Sequence, residues 1–286
     1  MLPHRVAPPS HLGPPEFSFK ESLVLFYAVE VGKDEGFNPP DAGDFILPPI
    51  FGDSILTTKP VVLAFFSVVL ISSLFIASSR KASVVPSKLQ FAGEMVYGFV
   101  RNEIGKDVIG SEFRRFVPFL FTIFTFVLTN NLFGIIPLIQ FPTMSRIGFP
   151  VAITLFVYFV YHFVAIRKHG LPKYLKDMCF MPGIPKFMYI ILAPLEFATY
   201  FLIRPLTLAM RLFGNMFAGH LLLILFTLGG EYMLHNENLI LKLFSVFSFA
   251  FSIVFTFFEL FVQCLQAYIF TLLSALYIAG ALADEH

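Results

Sequence analysis

The side chains most able to do chemistry in this chain are ionisable groups in two long apolar segments near its C-terminus. Arg211, followed by His220, lies inside "LTLAMRLFGNMFAGHLLLIL" (206–225), with Glu196 upstream and Glu259 in the next apolar segment. Charged groups inside the membrane cost about 2.5–3.5 kcal/mol each on insertion scales, and sets of them usually mark an ion path. An imidazole or a buried carboxyl can exchange protons near neutral pH, whereas a guanidinium stays charged.

Polar residues in both segments recur at the spacing of one helix face. With about 100° per residue, the first stripe falls within a sector of about 100°. It contains Glu196, Tyr200, Arg204, Thr207, Arg211 and Asn215. The second stripe advances by three or four residues at each step. It contains Ser245, Ser248, Ser252, Thr256, Glu259, Gln263 and Gln266.

Simpler structural interpretations of these residues remain open. Serines and threonines in membrane helices mostly form interhelical contacts. Arg204 can extend its charge to the membrane surface, and Arg211 can form a buried ion pair with Glu259. His220 alone would usually be a hydrogen-bonded core histidine. Because the ionisable groups occur together on two neighbouring helices, we favour an ion path. In it His220 and Glu259 share the outer half, Glu196 lies in the inner half and Arg211 separates them.

The composition indicates the kind of protein that must position these groups. The chain is 57% hydrophobic and 14% charged, whereas a soluble domain carries about 25% charged residues. We predict an all-α polytopic membrane protein in which 60–286 is a membrane domain with five passages. An amphipathic interfacial helix is predicted at about 86–113. The predicted spans are 60–79, 116–137, 147–166, 187–228 and 239–282. The last two exceed one bilayer thickness, so we expect a long, steeply tilted hairpin with its turn at 229–238.

The distribution of charge and proline predicts an orientation. Segments 79–116 and 167–187 hold seven and five basic residues, whereas 138–148 and 229–239 hold one and none. The positive-inside rule therefore places the C-terminus in the cytoplasm and the proline-rich, irregular segment 1–59 outside it.

Several classes of function are disfavoured. A net charge of +1 offers no basic surface for nucleic acid, and the two cysteines form neither a disulfide framework nor a metal pair. No cofactor or metal is expected. Motifs of membrane enzymes are absent, and so are the inverted repeats typical of an autonomous secondary transporter, which we keep as the alternative function.

Four segments resemble subunit a of the F-type ATP synthase membrane sector, in its bacterial form. They are "RLFGNMFAGHLL" (211–222), "LQAYIFTLLSALYIAGAL" (265–282), "LTNNLFGIIP" (128–137) and "VPSKLQ" (85–90). The resemblance covers roughly 80–286. It implies a stator in contact with lipid, and not an enzyme on its own. Segment 1–59 lacks the Arg- and Ser-rich, acid-poor composition of a transit peptide, which favours the bacterial plasma membrane over a chloroplast or mitochondrial membrane. The implied partners are a ring of c subunits with buried carboxylates, the peripheral-stalk b subunits and the rest of the complex.

The resemblance also implies roles for individual residues. Arg211 matches the essential arginine that faces the ring and prevents leakage between two offset half-channels. His220 and Glu259 occupy positions where many bacterial members carry Glu and His, so the acid and the imidazole are exchanged here. The coupling ion is not fixed by this chain, with H⁺ the default given His220. The proton path is expected to contain His220, Glu259, Gln266, Asn215, Glu196, Gln263, Ser252 and Thr256.

Overall fold

The computed structural model describes residues 37, 39–40, 43, 58–80, 83–136, 139–179 and 188–283, with the backbone alone at 176–179 and 189. The chain divides into two units, 1–38 and 39–286, and all the described helices belong to the second. Most of the predicted irregular segment 1–59 lies outside the described residues, as does the C-terminal 284–286.

Helices form nearly all of the regular structure in the described part of the chain, which contains no β-sheet. In chain order they are α1 (Lys59–Ser79), α2 (Lys88–Phe99), α3 (Phe113–Leu132), α4 (Gly148–His169), α5 (Leu171–Cys179), α6 (Tyr189–Ala198), α7 (Arg204–His235) and α8 (Leu239–Leu282). A π-helical segment, Val100–Ile109, extends α2, and a second, Thr199–Ile203, joins α6 to α7. The all-α prediction is confirmed.

Five helical stretches are long and apolar enough to cross a membrane, as predicted. They cover 59–79, 88–132, 148–169, 190–235 and 239–282. Within the second stretch Gly110 adopts φ +76°, a conformation that favours glycine, and separates the π segment from α3. The helix predicted at 86–113 therefore exists as a separate element. Its Val100 and Ile104 are fully buried, and the segment packs on α3 and α8.

The helices α7 and α8 form the most extensive helix pair among the described residues, and this is the predicted hairpin. The predicted turn at 229–238 was too long, because α7 continues through both glycines to His235. Gly230 serves close packing instead, since an added Cβ would lie 3.3 Å from Phe249 and Ser248. The turn occupies only 236–238, where the Asn238 side chain accepts the amide of Ile240 at 3.0 Å.

The outward face of α8 is apolar and its inward face is polar. Glu259 and Ser245 are 4% and 1% exposed, whereas Phe251 and Phe257 are 52% and 69% exposed. This distribution is expected where lipid covers the outside and helix contacts satisfy polar groups inside. The second stripe therefore faces the rest of the chain.

Candidate functional site

Arg211 lies on α7 between buried residues but is itself exposed. Its neighbours Leu208 and Leu212 are 2% and 0% exposed and pack in the core. Among the described residues Arg211 has no hydrogen bond and no ion pair. The structure therefore does not contain the ion pair between Arg211 and Glu259 that was one interpretation of the sequence. A guanidinium in an apolar segment is strongly stabilised by a counter-ion, so this position can accept a carboxylate from outside the chain.

One turn further along α7, an amide pair joins the two helices of the hairpin. The Asn215 Nδ2 donates to Gln266 Oε1 at 2.8 Å. Gln266 is 2% exposed, and its Nε2 has no hydrogen-bond partner within the described chain. This hydrogen bond holds two polar amide groups in place one helical turn from Arg211.

Glu259 belongs to a second polar group on the inward face of α8. Gln263 Nε2 donates to Glu259 Oε1 at 3.2 Å, and Asn131 Nδ2 of α3 donates to the Gln263 carbonyl at 3.4 Å. Gly219 of α7 makes room for the carboxyl group, since a Cβ there would lie 3.6 Å from its atoms. Two facing helices and α3 therefore enclose this carboxyl.

His220 is 3% exposed and lies on a different side of α7 from Arg211. The main chain of Gln140 hydrogen-bonds to His220, and the ammonium group of Lys59 lies near enough to act on it electrostatically. Glu259 is bonded to Gln263 rather than to His220. The structure thus brings the acid and the imidazole onto neighbouring helices without joining them directly.

Two of the remaining members of the second stripe, Ser248 and Ser252, connect α8 to α7. The hydroxyls of Thr227 and Ser252 are 2.9 Å apart, and Ser248 donates to the Phe226 carbonyl at 2.7 Å. Thr256 donates to a carbonyl of its own helix. The contacts of Ser248 and Ser252 are those of interhelical packing, whereas that of Thr256 stays within its own helix.

No side-chain hydrogen bond or ion pair joins Glu196 to the other predicted residues within the described chain. It lies half-buried on α6, separated from α7 by the π segment Thr199–Ile203. A π segment turns by less per residue than an α-helix. The ideal angles that put Glu196 and Arg211 in one sector therefore do not hold across it.

Several polar residues of the core were missed by the sequence prediction. Asn130 Nδ2 donates to Ser67 Oγ of α1 at 2.9 Å, and both residues are fully buried. His162 lies in an aromatic cluster and its Nδ1 is 2.6 Å from the hydroxyl of Tyr174. The two adjacent asparagines inside an apolar window were a usable signal, whereas the sequence shows His162 only as a histidine near the boundary of a predicted span.

Buried polar atoms without a hydrogen-bond partner in the described chain concentrate on this hairpin and α3. They include Asn131 Oδ1, Ser245 Oγ, Glu259 Oε2, Gln263 Oε1 and Gln266 Nε2. Buried polar groups in proteins are nearly always hydrogen-bonded, so these atoms indicate a site completed by water or a partner. Among the described residues no group of three or more His, Cys, Asp or Glu could hold a metal ion.

Comparison with known proteins gives a consistent result over most of the chain. Residues 61–279 match the family described as ATP synthase A chain. A protein of Nocardioides sp. named ATP synthase subunit a is 45% identical over 269 residues, which cover 90% of this chain and 98% of the relative. Proteins of the same name are 44% identical in Pseudarthrobacter chlorophenolicus, over 89% of this chain and 97% of the relative, and 38% identical in Streptomyces lividans, over 88% and 90%.

Proposed function

Because this chain belongs to the ATP synthase A chain family, we propose that it forms two offset half-channels that pass protons to and from the carboxylates of a rotor ring. The chain is a proton-translocating membrane subunit of the Fo sector and a component of ATP synthase in bacterial membranes. The proposed partners are the c ring, the b subunits of the peripheral stalk and the remaining complex. The membrane domain is residues 60–286.

The observation that carries this proposal is the state of Arg211. It is exposed in an apolar helix and has no ion-pair partner among the described residues. A rotor carboxylate would satisfy its charge when deprotonated and leave it when protonated. Since a guanidinium does not lose its proton at ordinary pH, Arg211 attracts the carboxylate but cannot relay a proton past it.

The outer half-channel is proposed to run along the inward face of α8. Glu259, Gln263 and Asn131 form a hydrogen-bonded series there, and the first two retain buried oxygens without a partner in the chain. Water bound to such atoms can conduct protons, and the carboxyl can take them up. His220 is proposed to assist from the opposite helix, whereas Glu196 is assigned to the inner half-channel.

The separation of the two paths matters energetically. Moving one elementary charge across 100 mV is worth about 2.3 kcal/mol, and this free energy can turn a rotor only if no proton crosses without it. A permanent charge between the two paths supplies that barrier, because it repels protons in a low-dielectric contact.

The proposal is tested with Arg211→Ala in the complete complex reconstituted into liposomes. We expect ATP-driven proton pumping to be lost while the subunit remains assembled, as judged by its presence in the purified complex. The control is Thr271→Val, a buried position that bonds only its own helix carbonyl at 2.8 Å, and it should pump normally. Coupled pumping retained by Arg211→Ala would reject the proposal. Solute uptake by the purified chain alone would favour the autonomous transporter.

A further inference from the structure

An aromatic cluster near the start of α7 surrounds a second arginine. The guanidinium carbon of Arg204 lies 3.5 Å from the ring centroid of Tyr200 and 5.5 Å from that of Tyr277. Tyr161 of α4 packs on Tyr277, with ring centroids 5.5 Å apart. We call Tyr161, Tyr200 and Tyr277 the arginine cage. Cation–π contacts of this kind stabilise a charge that is partly removed from water.

The cage depends on the π-helical segment Thr199–Ile203. The amide of Arg204 bonds to the carbonyl five residues before it, which is the π register. In that register the carbonyl of Tyr200 would need the amide of Pro205, and proline has no N–H. The hydroxyl of Tyr161 donates to this carbonyl instead, at 3.3 Å. A side chain of α4 thus completes the hydrogen bonding of the segment that places Tyr200 against Arg204.

The charge of Arg204 is not neutralised within the described chain. It has no ion-pair partner among the described residues. The titratable groups that interact electrostatically with Arg204 lie on the helices packed around it. They are Tyr161, His162, Tyr174, Tyr200 and Tyr277. The next charged group is Arg211, which also acts on Tyr277. None of these carries a carboxylate. Burial raises the pKa of Tyr174, which lies outside the spans, so its phenol stays neutral.

In the proposed topology, the charge of Arg204 lies on the inner side of Arg211. Arg204 precedes Arg211 by about two helical turns, or roughly 10 Å. It lies on the side that leads to Glu196, the residue assigned above to the inner half-channel. A fixed cation at this distance still favours the deprotonated form of a nearby carboxylate when water is excluded.

From this arrangement we propose that Arg204, held in the arginine cage, promotes proton release from the rotor carboxylate to the inner side. This inference rests on the proposed function. Its consequence is an asymmetry between the two directions of the motor. ATP synthesis requires release to the inner side and is accelerated by the charge. ATP-driven pumping begins with uptake from the inner side and does not benefit from it.

The test uses Arg204→Gln in the complete complex in liposomes. ATP synthesis under a fixed driving force is measured while the pH on the ATP-forming side is varied, and pumping is measured on the same preparation. We expect synthesis near neutral pH to fall about three- to tenfold and to recover when that pH is raised by roughly 0.5–1 unit. Pumping should change by less than about twofold.

Matched variants separate charge from packing. Arg204→Lys keeps the charge and should retain most of the synthesis. Tyr161→Phe removes the hydroxyl that completes the π segment and should shift synthesis in the same direction as Arg204→Gln, although less. Tyr268→Phe, on α8 and packed on Phe99 rather than on the cage, should have no effect. If Arg204→Gln does not assemble, the comparison of Tyr277→Leu with Tyr277→Phe takes its place, with loss of synthesis expected only for leucine.

Equal loss of synthesis and pumping would overturn the inference, and so would unchanged synthesis in Arg204→Gln. Arg211→Ala is measured alongside to separate this inference from the proposed function. Loss of pumping in Arg211→Ala together with a symmetric effect of Arg204→Gln rejects the inference alone. Pumping retained in Arg211→Ala rejects both.

Discussion

Arg204 and Arg211 lie on one helix but differ in their surroundings. The guanidinium of Arg204 is stacked on tyrosines of its own chain, whereas Arg211 is exposed and has no ion-pair partner among the described residues. A caged arginine can supply only a fixed field. An arginine without an internal partner can bind and release a carboxylate of another subunit, so the two charges suit different tasks.

At the residue scale, Glu259→Gln tests the proposed outer half-channel. The amide oxygen of glutamine can still accept the hydrogen bond from Gln263, which now spans 3.2 Å to the carboxylate, so packing should be preserved. The titratable group is lost, because an amide does not exchange a proton as a carboxyl does. We expect ATP-driven pumping to fall by about two orders of magnitude or more, the range typical for removal of a proton-transfer group.

The control for this variant is Glu259→Asp, which keeps the carboxyl and should retain more pumping than the amide. Pumping at the normal rate in Glu259→Gln, with the subunit assembled, would mean that protons reach the rotor without this carboxyl.

The sequence predicted individual polar residues better than their contacts. The spacing of the second stripe correctly placed Glu259, Gln263 and Gln266 on one buried face, because a regular helix keeps its period. It could not predict that Glu259 bonds to Gln263 rather than His220, since side-chain pairing depends on rotamers and on α3. The arginine cage combines rings from three helical segments that are distant in the sequence, so no local sequence pattern predicts it.

At the scale of elements, the π segment Thr199–Ile203 limits what periodicity can predict. Pro205 was visible in the sequence, but the shift of register that precedes it was not, because it is stabilised by a hydroxyl from α4. The number of spans depends only on long apolar windows and was therefore predicted correctly. The turn was misplaced because glycine can end a helix or allow a close approach, and at Gly230 it does the latter.

Gly230→Leu is expected to destabilise the hairpin of α7 and α8. A Cβ at this position would already lie 3.3 Å from ring atoms of Phe249 and from Ser248, so a larger side chain must force the helices apart. Overpacking of this kind costs about 1–3 kcal/mol. The measurement is the midpoint temperature at which the purified complex loses this subunit.

Gly148→Leu provides the matched control, because no atom lies within 4 Å of a Cβ built there. It should leave the midpoint temperature unchanged. If both leucine variants behave like the unmodified protein, close packing at Gly230 is not what holds the hairpin together.

At the scale of the whole molecule, the distribution of Lys and Arg predicts which ends of the spans face the cytoplasm. Glu237 lies in the short turn between α7 and α8, and Arg101 lies in the π segment after α2, and both are exposed. In a background without Cys179 and Cys264, we expect Glu237→Cys to react with a membrane-impermeant thiol reagent added to intact cells. Arg101→Cys should react only after the membrane is opened. The reverse pattern would invert the proposed topology and exchange the two half-channels.

The length of the hairpin also belongs to this scale. A helix of 44 residues, as in α8, measures about 66 Å and exceeds the hydrocarbon core of about 30 Å by more than twofold. The two longest helices must therefore tilt or extend beyond the lipid, which gives them a long outer surface. We propose that this surface follows the wall of a rotor, with Arg211 at the point of contact.

A structure of the complete complex within its membrane or a detergent micelle tests the central claim most directly. The quantity to measure is the distance between the guanidinium of Arg211 and the nearest rotor carboxylate, at the position where that carboxylate passes α7. We predict that the two groups face each other within direct or water-mediated contact. A guanidinium turned into its own chain and paired with Glu259, with no rotor carboxylate opposite it, would contradict the account.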